Sequence, residues 1–513
     1  MQLNDKLSCI TAIGILAILV ITFFMTTPTN GDFWWYDSSR HAMNGVFIHD
    51  FFLEGRLFHP ISFASEYYHQ YPAINVGFYP LFFYFSSAPF LAFFGVSHAV
   101  SQAVVALYVF VAGIFAYLIL RRTMDGFVAV SAAVSMLCLP EMAFWSRQVQ
   151  IDVPAIALLL ATAWYLLRYR DSMANRHLFA ATVCLGLAVM TRVQVVFAVP
   201  PVLYFIFLRR RRTYNTSART CLVALLTLAF FTLPSMAMVL YFGRIHKLQA
   251  TNMPGMPKLM TIENWIWYAR QLPDQLGWAA LIFIIFGLLS AIVLAIRRSL
   301  PTTGVITFNF CIFSWFFFSL ISNKEPRFNL PSLPFLFLLA AICMVSLLPQ
   351  VTRLALPLLA AWLVWQSVAV VHVPVATGFK EAALATQKLT PRDANVLISA
   401  HRDGNFIYNM RVLGDRRDIG IRRADKHLAY VNISQVFGVR DLNYDHQAIR
   451  NFLNTEHIAT IVVQEGYLSD QPSIQRLQDL LDEGNMYKPV QTITLTDTMS
   501  GCENRLTVYT AVR

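Results

Sequence analysis

Residues 7–45 read LSCITAIGILAILVITFFMTTPTNGDFWWYDSSRHAMNG, and the first 21 of them carry no charge. At about 1.5 Å of rise per residue such a run makes roughly 30 Å of helix, the thickness of a bilayer core. It is longer than the roughly 7 to 15 apolar residues of a secretory leader, and no small-residue cleavage pattern follows it, so it reads as a retained first transmembrane helix. Directly beyond lie Trp34, Trp35 and Tyr36, set among Asp32, Asp37 and Arg40. An acidic, aromatic segment at a helix exit is either an interfacial aromatic belt or the edge of a site.

The pattern repeats along the chain. Of 513 residues, 56% are hydrophobic and 13% charged, and the mean hydropathy is +0.51. Apolar runs predict helices near 7–27, 99–120, 126–140, 153–167, 178–191, 193–208, 220–242, 276–296, 303–322, 328–348 and 354–373. These are about eleven spans of a polytopic membrane protein. Segment 80–95 is apolar too, but Pro89 interrupts it. The net charge of +11 does not imply nucleic acid, because the cations sit in short loops between apolar runs. Arg209 to Arg212 read as a topology signal. Six cysteines fall inside apolar runs and Cys502 outside them, with no disulfide framework or zinc spacing.

If 80–95 does not cross, the loops on the amino-terminal side hold fourteen basic residues, against ten in the much longer loops opposite. That bias places the amino terminus in the cytoplasm and makes 80–95 a re-entrant or membrane-surface helix. Segments 28–79, 141–152, 322–328 and everything after about 374 then share the outer face. From 375 onward, short apolar strands such as NVLIS (395–399) and ATIVVQ (459–464) flank the helix-like HQAIRNFLNTEH (446–457). The expected organisation is a membrane domain over 1–374, with an outer loop 28–79 bearing surface helices, and a soluble extracytoplasmic α/β domain over 375–513.

Three outer segments carry candidate chemistry. In the first, a partly desolvated carboxylate among aromatics has its pKa raised towards working pH, as a base acting on a hydroxyl requires; a belt with solvated acids fits equally. In the second, EMAFWSRQVQIDVPAIALLL (141–160), Asp152 precedes a hydrophobic helix with Pro154 in its first turn, a place that suits an N-cap as well as catalysis. Arg147, upstream, is a snorkelling anchor or a phosphate ligand. In the third, SNKEPRF (322–328), Lys324 and Arg327 sit against the charge bias, where an anionic lipid phosphate would explain them. Arg192, in a tight outer turn, makes the same suggestion or reaches the headgroups.

Taken in order, WYDSSRHAMNG, YHQYPAINVGFYPLFFY (68–84), IDVPAIALLL and NKEPRFNLPSLPFLFLLAA resemble the polyprenyl-phosphate-dependent glycosyltransferases of the GT-C superfamily. The likeness is to the bacterial protein O-mannosyltransferase-like family 39 and the lipid A aminoarabinose transferases, and it covers most of residues 1–350. The resemblance implies that Asp37 acts as base on the acceptor, that Asp152 orients it, and that Lys324 and Arg327 lie at the lipid phosphate. Ser38 stands where the family has a second acid. Tyr79 precedes Pro80 where lipid A enzymes have lysine, so Arg147 or Arg192 would replace that phosphate contact. Trp35, Arg40 and Tyr79 complete the expected substrate lip.

The implied reaction moves a sugar from a polyprenyl-phosphate donor to a hydroxyl of a protein, lipid or glycan at the outer face of a bacterial inner membrane, with inversion. Membrane lipids and the lipid-linked donor are the expected partners and nucleic acid is not. No cofactor is required if arginine and lysine neutralise the phosphate; a divalent metal held by Asp37, Asp152 and Glu141 is the minor alternative. The rival class is a flippase for lipid-linked sugars, which would need ionisable residues inside the helices, and those interiors are almost free of charge.

Overall fold

The computed structural model describes residues 3–208, 217–251, 253–414, 416–431, 435–499, 501 and 503–512. Arg209 to Arg212 and Cys502 lie outside the described residues. The chain divides into two compact units. One comprises 1–27, 77–83 and 103–373, and the other 28–76, 84–102 and 374–513.

The first unit is helical. Among the described residues, six helices are long and apolar enough to cross a membrane: Leu7–Met25 (within helix Leu3–Met25), His98–Leu120, Ala218–Tyr241, Trp278–Ile296, Thr302–Ser319 and Pro349–Val370. The remaining spans expected from hydropathy are helices too, mostly shorter ones. Gly126–Leu137 has 12 residues, about 18 Å, and is buried from Val128 through Leu137. Ser332–Leu347 is buried from Ser332 through Val345, and a helix apolar on all sides belongs inside a bundle. It starts later than hydropathy suggests because Pro326 and Pro331 hold the chain in a 3-10 turn, Pro326–Asn329, before it. Segment 193–208 is a 3-10 turn Val193–Ala198, a short α-helix Val199–Leu203 and a π turn Tyr204–Leu208. Pro200 and Pro201 cannot donate the backbone hydrogen bonds that would join these pieces into one α-helix.

Close packing fixes neighbours within this bundle. A Cβ on Gly287 would lie 2.3 Å from Ala340 Cβ and 2.5 Å from Ala340 Cα, so helices Trp278–Ile296 and Ser332–Leu347 touch backbone to backbone. Helix hydroxyls mostly satisfy themselves; Thr307, for example, donates to the Thr303 carbonyl at 3.0 Å.

The second unit is built on strands β1 (Ala376–Thr377), β2 (Asn395–Ser399), β3 (Gly420–Arg423), β4 (Ala429–Val431), β5 (Val439–Asp441), β6 (Ile458–Gln464), β7 (Tyr487–Asp497) and β8 (Glu503–Ala511). Six form one sheet in the order β1-β7-β8-β6-β2-β3, and β4 pairs with β5 apart from it. The β2 pairings with β3 and β6 are parallel and the other pairings antiparallel. NVLIS and ATIVVQ are adjacent central strands, and helix His446–Thr455 packs its apolar Ile449 and Leu453 into the core.

The opening loop is part of this second unit. Helix Tyr36–Leu53 and helix Pro60–Gln70 are joined to the sheet domain by buried polar contacts. Asp50 accepts from Arg411 through Nε at 2.8 Å and Nη2 at 2.5 Å, and from the Tyr67 hydroxyl at 2.7 Å. Asn405 exchanges hydrogen bonds with the backbone of Phe33 at 2.9 and 2.8 Å. The loop expected as an outgrowth of the 1–374 membrane domain is thus grouped with 374–513 through partners more than 350 residues away in sequence. Segment 80–95 forms helix Phe82–Phe94, 13 residues that run through Pro89 without a break, where the sequence led us to expect an interruption. At about 20 Å it is shorter than a bilayer core.

Candidate active site

In the helical unit the basic residues singled out from sequence separate into two kinds. Asp152 is the first residue of helix Asp152–Ser172; the N-cap position expected for it falls to Ile151. Its carboxylate still lies in the first turn, where the helix dipole favours negative charge. Its Oδ1 sits 2.7 Å from Arg192 Nη1, and both side chains are only 4% exposed. The Arg192 guanidinium lies 5.3 Å from the Phe318 ring and 5.9 Å from that of Phe328. Arg327 shares the Phe328 ring at 5.3 Å and lies 5.7 Å from Trp145. Its Nε donates to Glu325 at 2.6 Å and its Nη1 to Gln150 at 3.3 Å. Burial lowers the Arg192 pKa, as does Arg327, while Asp152 and the Tyr268 and Tyr79 hydroxyls oppose the shift. Arg192, Arg327, Asp152 and Tyr79 thus form one electrostatic neighbourhood walled by aromatic rings.

Lys324 and Arg147 differ. The Lys324 amine, 1% exposed, donates to the carbonyls of Phe318 at 2.9 Å and Ser319 at 3.0 Å, the open end of helix Thr302–Ser319. It also stands 5.1 Å from the Tyr268 ring, and burial pushes its pKa down to about 8. Arg147 donates from Nη2 to the Ser367 carbonyl at 2.6 Å and from Nη1 to the Val371 carbonyl at 3.4 Å, against the Phe23 ring at 4.6 Å. Both cations satisfy carbonyls that a helix end leaves without intrahelical partners.

Sequence reasoning passed over Gln150, Glu325 and Tyr268. Tyr268 lies on helix Ile262–Leu276, whose Gln275 donates to the Pro326 carbonyl at 2.7 Å and whose Asn264 donates to that of Ser319 at 2.8 Å. That helix alternates charge and aromatic side chains and lacks an apolar run, so hydropathy does not reveal it. The Tyr268 hydroxyl is buried without a hydrogen-bond partner among the described residues. Glu141 accepts from Trp145 Nε1 at 2.7 Å; burial lifts its pKa to about 7, with Asp152 and Asp274 adding to the rise.

In the second unit, Asp37 is half-buried in the first turn of helix Tyr36–Leu53, following Trp35 at the N-cap. Four residues on, His41 Nδ1 lies 2.7 Å from the Tyr84 hydroxyl, a hydroxyl that Asp37 also influences electrostatically. Arg40, read as substrate lip, pairs with Asp403 at 3.1 Å, and Asp403 also faces Arg423 at 2.5 Å. Trp34 Nε1 donates to Asp497 at 3.0 Å and Arg402 lies 5.3 Å from the Tyr36 ring, so these aromatics are tied to the sheet domain. Asp32 accepts from the backbone N–H groups of Phe379 at 3.0 Å and Lys380 at 3.3 Å. It thereby caps helix Phe379–Leu389, whose own N-cap is Gly378. Burial raises its pKa to about 7. Among the described residues no group of three or more histidine, cysteine or acidic side chains is placed to hold a metal ion.

Residues 79–236 match the family model described as dolichyl-phosphate-mannose-protein mannosyltransferase, a span that includes Tyr79, Arg147, Asp152 and Arg192. No curated protein gives a significant sequence match. Among solved structures, ArnT from Cupriavidus metallidurans bound to undecaprenyl phosphate is similar over 96% of this chain and 96% of its own, with TM-score 0.61 and 13% identity. The apo oligosaccharyltransferase of Archaeoglobus fulgidus is similar over 90% of this chain and 70% of its own, with TM-score 0.54 and 14% identity. The mycobacterial arabinofuranosyltransferase AftD matches 98% of this chain and 41% of its own, at TM-score 0.53 and 13% identity. At such identities the likeness is one of fold, and these are glycosyltransferases of the GT-C type.

Proposed function

Starting from a membrane protein with the GT-C glycosyltransferase fold, we propose that it transfers a single sugar from a polyprenyl-phosphate donor to a hydroxyl acceptor. The observation that carries this reading is the neighbourhood formed by buried Asp152 and Arg192 and half-buried Arg327. It is an aromatic-walled cluster that brings two guanidinium groups together, Arg192 paired with Asp152 and Arg327 with Glu325, both beside the Phe328 ring. Arginines shielded from water are suited to hold a phosphate monoester or diester as it takes up charge.

In the proposed reaction the Asp37 carboxylate takes the acceptor proton, and the acceptor oxygen attacks the anomeric carbon. The bond from that carbon to the phosphate oxygen breaks, and polyprenyl phosphate leaves with its charge neutralised by Arg192 and Arg327, giving inversion. Lys324 and Arg147 are assigned to holding helix ends, Asp152 to orienting Arg192, and Tyr79 to the donor side. Arginine supplies the positive charge and no metal is called for. The acceptor is a protein, lipid or glycan hydroxyl, on the outer face of a bacterial inner membrane whose cytoplasmic side holds the amino terminus. That sidedness rests on the loop-charge bias.

The test is sugar release or transfer from a panel of undecaprenyl-phosphate sugars by protein in nanodiscs, comparing wild type with Asp37→Asn and Arg192→Met. Turnover of one donor, lost in a folded Asp37→Asn variant that still binds undecaprenyl phosphate, is expected. Equal turnover in Asp37→Asn would remove Asp37 as base, and absence of turnover with every donor and an acceptor-rich extract would overturn the reading.

A further inference from the structure

A carboxylate that takes a proton has to stand at a fixed place, and within the second unit the sheet grips the helix that carries Asp37. Strands β2, β3, β6 and β7 run in one direction, so their last residues, Ser399, Arg423, Gln464 and Asp497, lie along one edge. Open α/β sheets place their functional groups at that carboxyl edge. The turn leaving β2 there, HRDG (401–404), is pinned by the ends of the other three strands. The His401 N–H donates to Gln464 Oε1 at 2.9 Å, Arg402 pairs with Asp497 at 2.6 Å, and Asp403 pairs with Arg423 at 2.5 Å.

Each of these four residues also meets the start of helix Tyr36–Leu53. The His401 ring lies edge-on to that of Tyr36 with centroids 5.0 Å apart, and the Arg402 guanidinium lies 5.3 Å from the same ring. Asp403 pairs with Arg40 at 3.1 Å, and Gly404 backs onto Ser39 so closely that a Cβ would lie 2.5 Å from its Oγ. Tyr36, Ser39 and Arg40 are spaced i, i+3 and i+4 and therefore share one face of the helix. Asp37 is one residue on, about 100° round the axis, so seating that face fixes the direction its carboxylate takes. Asp403 is buried and faces Arg40 with one oxygen and Arg423 with the other. Arg423 is held in turn by Asp425 at 2.8 Å and donates to the Pro72 carbonyl at 3.3 Å.

We infer that Asp403 and Gly404 are positioning residues, which hold the first turn of helix Tyr36–Leu53 where Asp37 takes the acceptor proton. This rests on the sugar transfer proposed above, and it makes the carboxyl edge of the sheet a working part of that site.

Gly404→Ala brings a methyl group about 1 Å inside ordinary contact with Ser39 Oγ, and a displacement of that size costs ~100-fold in rate. Ser39→Ala removes the oxygen and leaves only Ser39 Cβ, at 3.4 Å, so the double variant should recover. Turnover of undecaprenyl-phosphate sugar in nanodiscs is measured for wild type, Gly404→Ala, the double variant and Asp403→Asn. Undecaprenyl phosphate binding and hydrogen exchange of the helix Tyr36–Leu53 amides are measured alongside. The expected result is kcat lowered ~10–100-fold in both single variants, Kd for undecaprenyl phosphate unchanged, faster exchange in the helix, and recovery of kcat and exchange in the double variant. Wild-type kcat in both single variants overturns the inference, as does a fall in kcat that the double variant does not repair. A wild type that turns over no donor overturns the sugar-transfer reading and the positioning role with it; the exchange response, which needs no turnover, still tells whether the turn grips the helix.

Discussion

Breaking the Asp152–Arg192 pair from either side should have unequal consequences. Both side chains are only 4% exposed and their charged atoms are 2.7 Å apart, so Asp152→Asn leaves a buried guanidinium without its counter-ion and with Arg327 still nearby. Removing one member of such a pair costs about 3–5 kcal/mol. Arg192→Met leaves a carboxylate instead, but in the first turn of a 21-residue helix, whose dipole offsets roughly 0.3–2 kcal/mol of the penalty. The double variant contains no unpaired charge and should be more stable than Asp152→Asn alone. Equilibrium unfolding by SDS from mixed micelles would measure the four corners of this cycle. A double variant no more stable than Asp152→Asn would refute the coupling. The same proteins report on function: undecaprenyl phosphate at about a hundred times its Kd should stabilise wild type by ~2.7 kcal/mol, and Arg192→Met should lose most of that gain. Full retention would take Arg192 out of the phosphate site.

Three further outcomes are expected. Lys324→Met removes the donor to the Phe318 carbonyl while Asn264 still serves Ser319; stability should fall by about 1–3 kcal/mol, with KM for the donor little changed, and a large rise in KM would make Lys324 a phosphate ligand. Asp32, lifted by burial to about 7, is favoured in its protonated form by folding. Its contribution is full below the ordinary carboxylate range and is lost as pH rises through about 7. The melting temperature of wild type relative to Asp32→Asn should therefore decline between pH 4 and 8, and a constant difference would contradict the assignment. Gly287→Val would drive a side chain into Ala340, where even a Cβ lies 2.3 Å from its neighbour. A loss of at least about 1–3 kcal/mol is expected, read as lower thermal stability in detergent, whereas unchanged stability would show that the helices separate readily.

The sequence by itself determined that the chain is a bundle of membrane helices followed by an α/β domain. Uncharged runs such as 7–27 and 278–296 have no alternative in lipid, where the backbone must satisfy its own hydrogen bonds. Strands NVLIS and ATIVVQ were equally legible, because a short run of β-branched residues bounded by turns is a local signal. Asp152, Arg192 and Arg327 could be singled out because charge beside an apolar run is conspicuous. What each charge does was decided by tertiary structure. Nothing in SNKEPRF distinguishes Lys324, which closes a helix end, from Arg327, which faces Gln150 and the aromatic wall. Nor does the opening loop announce its place with the sheet domain, where Asp50 meets Arg411 and Arg40 meets Asp403. Hydrophobic periodicity is written within a few turns of chain, whereas an ion pair is chosen by whichever partner folding delivers, and here that partner stands some 360 residues away.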